Sequence, residues 1–561
     1  MPLVLIILLM VIGRTAYLSI DRNTLLFGGT ILTMNAQNAV ASSMLIKNNR
    51  IHKIWSGEIN AADVPANTQK IDLKGQTLVP GIIDAHGHFP GEGLGAVALD
   101  LNSPPIGKIK AITDIIQGLK ASVLETKKGE WIRGFGFDDT MIFEKRHITR
   151  QELDEVSNEH PIFIFHISGH MAVVNSFALS MLGISESSIA PEGGEYHKDT
   201  RGNLSGLLIE TAHYGAKKLA FKFAPLQSWS IVQKATDSYL KQGVTTAQNG
   251  LLESSHYNIM SWLAKLGLYD IRLVLWPSAN TQKQIISGEL AASKLDDTWF
   301  KMGAVKLVAD GSIQGYTGYL SHPYHTHPNE LSEDYRGFPL KSKQKLIEDV
   351  AYFYERGFQL AIHANGDAAI DDVIEAVAQA QSKYPKKDTR TVLVHSQMVR
   401  QDQLNQFKKL SITPSYFNAH VYYWGERHKI LFLGETRAEA ISPMKSTQKL
   451  GIPFSLHSDS PVVPMTPWLN AWNAVTRTTY QGEVLGAHER IDAQTALRSI
   501  TIDAAWQQFI ENDRGSLEQG KLADFVVLEK NPLSSQAALK DPCIVSTWLG
   551  GVRVYERINK I

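Results

Sequence analysis

Three observations predict an α/β fold, a (β/α)8 TIM barrel carrying a small β-sandwich built from both chain ends. Eight short apolar segments alternate with helical stretches. Histidine and aspartate recur where those segments end. Both termini carry short strands separated by turn residues, unlike the middle. At 561 residues the chain has room for a large catalytic domain and an accessory one. Basic and acidic side chains balance at 56 each, so no bulk field favours nucleic acid. The single cysteine, Cys543, excludes intramolecular disulfides and thiolate zinc clusters.

The elements follow in order. Pro2 to Ile12 is almost wholly apolar and Arg14 follows. That run is short for a bilayer but has the length of a signal-peptide core, with Ala16 where a small residue precedes cleavage. Residues 1–20 are therefore expected to be a signal peptide or N-terminal anchor. The chain would then be secreted, periplasmic or membrane-anchored, with membrane contact only there, and cytoplasmic if the segment is no signal. Thr24 to Leu32, Ser43 to Lys47, Arg50 to Trp55 and Gln69 to Leu73 read as strands. So do Ala523 to Leu528, Val545 to Leu549 and Val552 to Tyr555, the last two meeting across Gly550-Gly551. Residues 21–80 with 515–561 are the expected sandwich, and 81–514 the barrel.

The barrel opens on Gly81 to His88. An insertion at about 90–240 follows, with helical patterns over Ile109 to Glu125 and Leu226 to Gln242 and an apolar run at Pro161 to Phe165. Strands resume at Val244 to Ala247, Arg272 to Trp276, Ala304 to Val308, Gln359 to His363, Thr391 to His395, Ile412 to Ser415 and Pro453 to Asp459. Helical stretches such as Lys345 to Arg356 and Ala368 to Ser382 separate them.

Residues i and i+2 of a strand share a face, so His86 and His88 aim two imidazoles at one point. With 19 histidines, chance supplies roughly 0.6 such triplets, and His325-Thr326-His327 is a second one, in a turn-rich loop read as surface or lid. Support for the first comes from His363, His395 and Asp459, each at or near a strand's C-terminal end, the face where barrel sites are built. Imidazoles with a carboxylate suit zinc or a similar divalent ion, which activates water and polarises a carbonyl. Asp459 is the candidate base as well as a ligand. Lys306, inside its strand, has three readings: paired with Asp310, donating to substrate, or carboxylated and bridging two ions.

Several motifs extend the pattern: Gly81 to His88, Trp131 to Asp138, Gly169-His170, Asn175-Ser176, Gly206 to Glu210, Val305 to Ser312, Ala504-Ala505 and Gly515 to Asp524. In this order they resemble the amidohydrolase superfamily, and within it amidohydrolase family 3, the branch that includes YtcJ-like proteins and N-substituted formamide deformylase. The resemblance covers about residues 24 to 555. It implies a hydrolase of amide or formamide C–N bonds in a small molecule. It also implies a metal sphere of His86, His88, His363, His395 and Asp459, with Asp459 as base and Lys306 as the lysine that can carry a carboxylate and bridge two ions. His170, Trp131 and Asp310 are the candidate substrate contacts. Gln248-Asn249-Gly250 departs from the pattern, standing where an acidic residue is expected. The alternatives are the same site acting on an ester, lactone or cyclic imine, or a barrel that binds a small molecule without catalysis. A homodimer is the default assembly.

Overall fold

The fold is described from a computed structural model covering residues 23–265, 267–292, 296–326 and 332–558. The expected signal segment, residues 1–20, and His327 lie outside these residues. Among those described, no helix is long and apolar enough to cross a membrane.

Two parallel sheets form the middle of the chain. One contains β1 (Ile82–Ile83), β2 (Val244–Leu252), β3 (Arg272–Pro277) and β4 (Phe300–Met302), in the order β4-β3-β2-β1. The other runs through β5 (Val305–Val308), β6 (Leu360–Ala364), β7 (Thr391–His395), β8 (Ile412–Tyr416) and β9 (Ser455–Leu456) in chain order. β5 is the strand expected at Ala304 to Val308, and β4 is an additional short strand just before it, separated by Gly303-Ala304. β6, β7 and β8 are buried at every position, as strands covered on both faces must be. A parallel bridge between Ser278 and Lys306 joins the two sheets at one junction. At the other, Asp459 N–H donates to His86 C=O (3.2 Å) and His88 N–H to Ser460 C=O (2.7 Å).

Helices cover these strands with apolar stripes. Lys343–Glu355 is capped by Ser342 and buries Leu346, Val350 and Phe353, spaced by three and four residues. Asp367–Lys383 buries Ile370, Val373, Val377 and Ala380 in the same way.

The inserted segment has its own six-stranded mixed sheet, running from Leu99–Asp100 to Leu204–Glu210, with separate cores around Phe137 and Phe163. The chain ends build two further sheets. Thr77–Pro80 lies between Thr30–Leu32 and Phe525–Leu528, so one sheet takes strands from both ends. Leu26, Met44, Ile51, Leu78, Leu517 and Phe525 share one core across both.

Candidate metal centre

Six side chains meet where β1, β6, β7 and β9 end. Asp459 Oδ1 is buried and accepts no hydrogen bond. It lies 3.3 Å from His88 Nε2 and 3.5 Å from His86 Nε2. Asp459 Oδ2 is 3.9 Å from His395 Nε2. His457 Nε2 is 3.2 Å from His395 Nδ1, and His395 Nε2 is 3.0 Å from His363 Nδ1. Two sets of converging ligand atoms result, His86–His88–Asp459 and His395–His457–Asp459, with the aspartate in both. His395 and Asp459 hold positive φ, 71° and 51°, a costly backbone for side-chain-bearing residues and one that clusters at functional sites.

His86 is fixed from three sides. Its Nδ1–H donates to Oε1 of Gln248 (2.9 Å), whose NH2 is turned to the Ala85 carbonyl (3.0 Å). That leaves a lone pair on Nε2, facing the centre. Trp276 stacks on the ring at 5.5 Å. Gly250 packs beside it, where a Cβ would fall 2.1 Å from His86 Cε1. Gln248, the departure from the acidic pattern, thus orients a histidine without adding charge. His457 is held through Nδ1 by Ser415 Oγ at 2.9 Å.

Burial, then the Lys306 ammonium, pushes His86 well below the usual imidazole range. Burial also lowers His395 and His363, and takes His457 down to about 3. Burial would raise Asp459, but His88, His395 and His86 more than offset it and hold the carboxyl well below its ordinary range. Neutral imidazoles around one ionised, unpartnered carboxylate oxygen form a donor set that fits a divalent cation. Lys306 Nζ lies 3.0 Å from His86 Nε2, and burial lowers it to about 7. Among the described residues, no ion pair joins it to Asp310.

The other predicted residues divide. His170, in the insertion, lies with its ring 5.3 Å from that of His363. Asp310 Oδ1 lies 3.6 Å from His363 Nε2. It is fully buried and accepts from the backbone amides of Asn365 (2.9 Å), Gly366 (2.8 Å) and Tyr319 (2.9 Å), so it braces the turns after β5 and β6. Trp131 is elsewhere. It packs with Phe163 and Ala172 at the start of Ile132–Phe137, about 20 Å along an extended strand from the end nearer the site. His325 donates its backbone N–H to Phe432 C=O, in a loop away from the strand ends. Sequence reasoning missed His457. The available signal was its place two residues before Asp459, on the same face of β9 and its extension.

A third set, Asp138, Asp139 and His166, lies at the ends of insertion strands. Arg427 donates to Asp138 Oδ2 at 2.9 Å, and His166 Nε2 lies 3.0 Å from Asp139 Oδ1.

Against known proteins, the profile described as amidohydrolase family matches residues 69–555. The N-substituted formamide deformylase of Arthrobacter pascens is 26% identical, over 96% of this chain and 99% of its own. The YtcJ protein of Bacillus subtilis (strain 168) is 27% identical, over 94% and 99%. A crystal structure titled as an uncharacterized metal-dependent hydrolase from Pyrococcus horikoshii OT3 superposes with a TM-score of 0.73 at 24% identity, over 92% of this chain and 99% of that one. At that identity the likeness concerns the fold.

Proposed function

The chain belongs to the amidohydrolase family, hydrolases of carbon–nitrogen bonds other than peptide bonds, and from that premise we propose that it hydrolyses a small amide or N-substituted formamide at a zinc centre. The observation that carries this reading is the convergence of His86, His88, His395 and His457 on the Asp459 carboxylate, whose buried Oδ1 has no hydrogen-bond partner. The deformylase relative supports the formamide class. His86, His88 and Asp459 would hold one ion. His395, with His457 and His363 beside it, would hold a second, and Lys306, lowered to about 7, has the neutral fraction that carboxylation and bridging require. A divalent ion bound there supplies a Lewis acid and a water of lowered pKa.

The chain's own part is acid–base and positional. Asp459 receives a proton at Oδ1 from the attacking water and returns it to the leaving nitrogen. Gln248 and Ser415 hold His86 and His457 in place. Buried walls, Trp276 and Phe417 among them, keep bulk water from the back of the site.

We read the two parallel sheets as one closed (β/α)8 barrel over 81–514, supported by the bridge at Ser278–Lys306 and the hydrogen bonds linking β1's extension to that of β9. The insertion at about 90–240 roofs it, and 21–80 with 515–561 form one sandwich. The test is a hydrolysis screen of N-formyl and N-acyl amines on zinc-reconstituted full chain, with metal stoichiometry measured alongside. One or two zinc ions per chain with amide turnover are expected. A protein that binds no divalent ion under native conditions overturns the reading.

A further inference from the structure

Two motifs of the insertion, forty residues apart, meet at the rim of the site. Gly169-His170 precedes Met171–Val174, and Gly206 to Glu210 ends the neighbouring strand. The two residues are locked twice. Glu210 N–H donates to the His170 carbonyl at 2.7 Å, and His170 Nδ1–H donates to Glu210 Oε2 at 2.8 Å.

Glu210 is an expensive residue to place here. Its side chain is fully buried, and Oε1 has no hydrogen-bond partner. Its backbone sits at φ 49°, ψ −127°, a region that side-chain-bearing residues rarely adopt. The carboxylate is also fitted to the strand-end face, because a Cβ at Gly311 would fall 2.1 Å from Oε1. A packing role alone would be met by an apolar side chain without the buried, half-satisfied carboxylate. On the other side of the pair, His170 is 17% exposed and its ring is 5.3 Å from His363. Among the described residues, His170 Nε2 has no hydrogen-bond partner, so that nitrogen is left for a molecule in the site.

Resting on the hydrolase reading above, we infer that His170 hydrogen-bonds the substrate's amide group through Nε2 and that Glu210 is the positioning residue that makes it do so. The carboxylate fixes the Nδ1 proton and the ring's direction, as an acid does behind a working imidazole. A ring already held in place spends little freedom when substrate arrives. The insertion is then part of the reaction site, not only a roof over it.

A double-mutant cycle on zinc-loaded full chain tests this, using Glu210→Gln, His170→Gln and the double variant with a small N-alkylformamide. Each single variant is expected to lower kcat/KM by about 10- to 100-fold. The double variant should be no worse than His170→Gln, because Glu210 acts through the imidazole. Zinc content should not change. Glu210→Asp should recover part of the loss. If Glu210→Gln costs as much in the His170→Gln background as alone, or if either single change stays within twofold of wild type, the inference falls. Nitrogen-15 NMR of histidine-labelled protein gives a readout apart from turnover. Glu210→Gln should shift the His170 Nδ1 signal, and added amide should shift Nε2 in the wild type. An unmoved Nε2 overturns the inference even if amide is hydrolysed. Absence of turnover with a shifted Nε2 overturns only the hydrolase reading. Should Glu210→Gln fail to fold, Glu210→Asp and His170→Gln carry the cycle.

Discussion

Two clusters in this molecule have the same ingredients and opposite electrostatics. The insertion cluster of Asp138, Asp139 and His166 and the barrel-face cluster around Asp459 are both built of histidine and aspartate at strand ends. In the insertion every charge has an internal partner. Arg427 sits on Asp138, Thr140 donates its hydroxyl to the same carboxylate at 2.6 Å, and Ser168 Oγ lies 2.8 Å from His166 Nδ1. Burial would raise both carboxyls, but Arg427 and His166 hold Asp138 below its ordinary value, and His147 and His166 do the same for Asp139. At the barrel face, among the described residues, no guanidinium forms an ion pair with Asp459. The cation beside His86 is Lys306, which burial itself drives toward neutrality. What marks a cation site is therefore not the count of ligand residues. It is a carboxylate that the fold has buried and left without a permanent counter-charge.

The sharpest way to break this comparison is to remove one carboxylate from each cluster. Asp459→Asn should lower turnover by about 10²- to 10⁴-fold, the usual worth of a positioned base, with the fold intact by circular dichroism. Asp138→Asn should instead cost about 3–5 kcal/mol of stability, because the largely enclosed Arg427 loses its carboxylate partner. Denaturant titration and steady-state kinetics on both variants decide it. If Asp138→Asn loses activity and not stability, the two clusters are not different in kind. A smaller effect separates ligand from orienter. Gln248→Leu removes the acceptor on His86 Nδ1 and should weaken zinc binding about 10- to 100-fold, read by competition with a chelator. Ser168→Ala, which removes the equivalent partner of His166, should leave zinc binding within twofold.

The same contrast explains what could be read from the sequence. The strands and the positions of His86, His88, His363, His395 and Asp459 follow from apolar periodicity and from where polar residues interrupt it, both local signals. His457 stands two residues before Asp459 and had that signal too, but a lone histidine inside an apolar run looks like core. Asp310 stands in the same Val305 to Ser312 motif as Lys306. Its three backbone donors come from Tyr319, Asn365 and Gly366, contacts no local pattern announces. Glu210 and His170 lie forty residues apart and meet only through sheet pairing. The insertion's sheet places them, so their partnership waits on tertiary structure.

The remaining expected effect is on acid stability of the metal-free protein, and it has a different onset for each cluster. At the barrel face, His457 titrates in the fold near about 3, against an ordinary value near 6.5. Below pH 6.5 the unfolded chain binds a proton that the folded imidazole refuses. Stability therefore falls with falling pH from about 6.5 until the folded value is reached, by about 1.4 kcal/mol per pH unit for one such group. In the insertion, Asp138 and Asp139 are held below their ordinary 3.8. Their contribution is complete above that value and is lost only as pH drops through and beneath it. Thermal unfolding followed from pH 8 to pH 3 should therefore decline first below about 6.5. His457→Asn should flatten that upper limb, while Asp139→Asn should alter only the limb below about 4. Bound zinc should move the first decline to lower pH, because it stabilises the fold that keeps these imidazoles neutral. A metal-free protein whose stability stays level down to pH 4 would mean that the barrel-face histidines carry protons in the fold, and the contrast between the clusters would disappear.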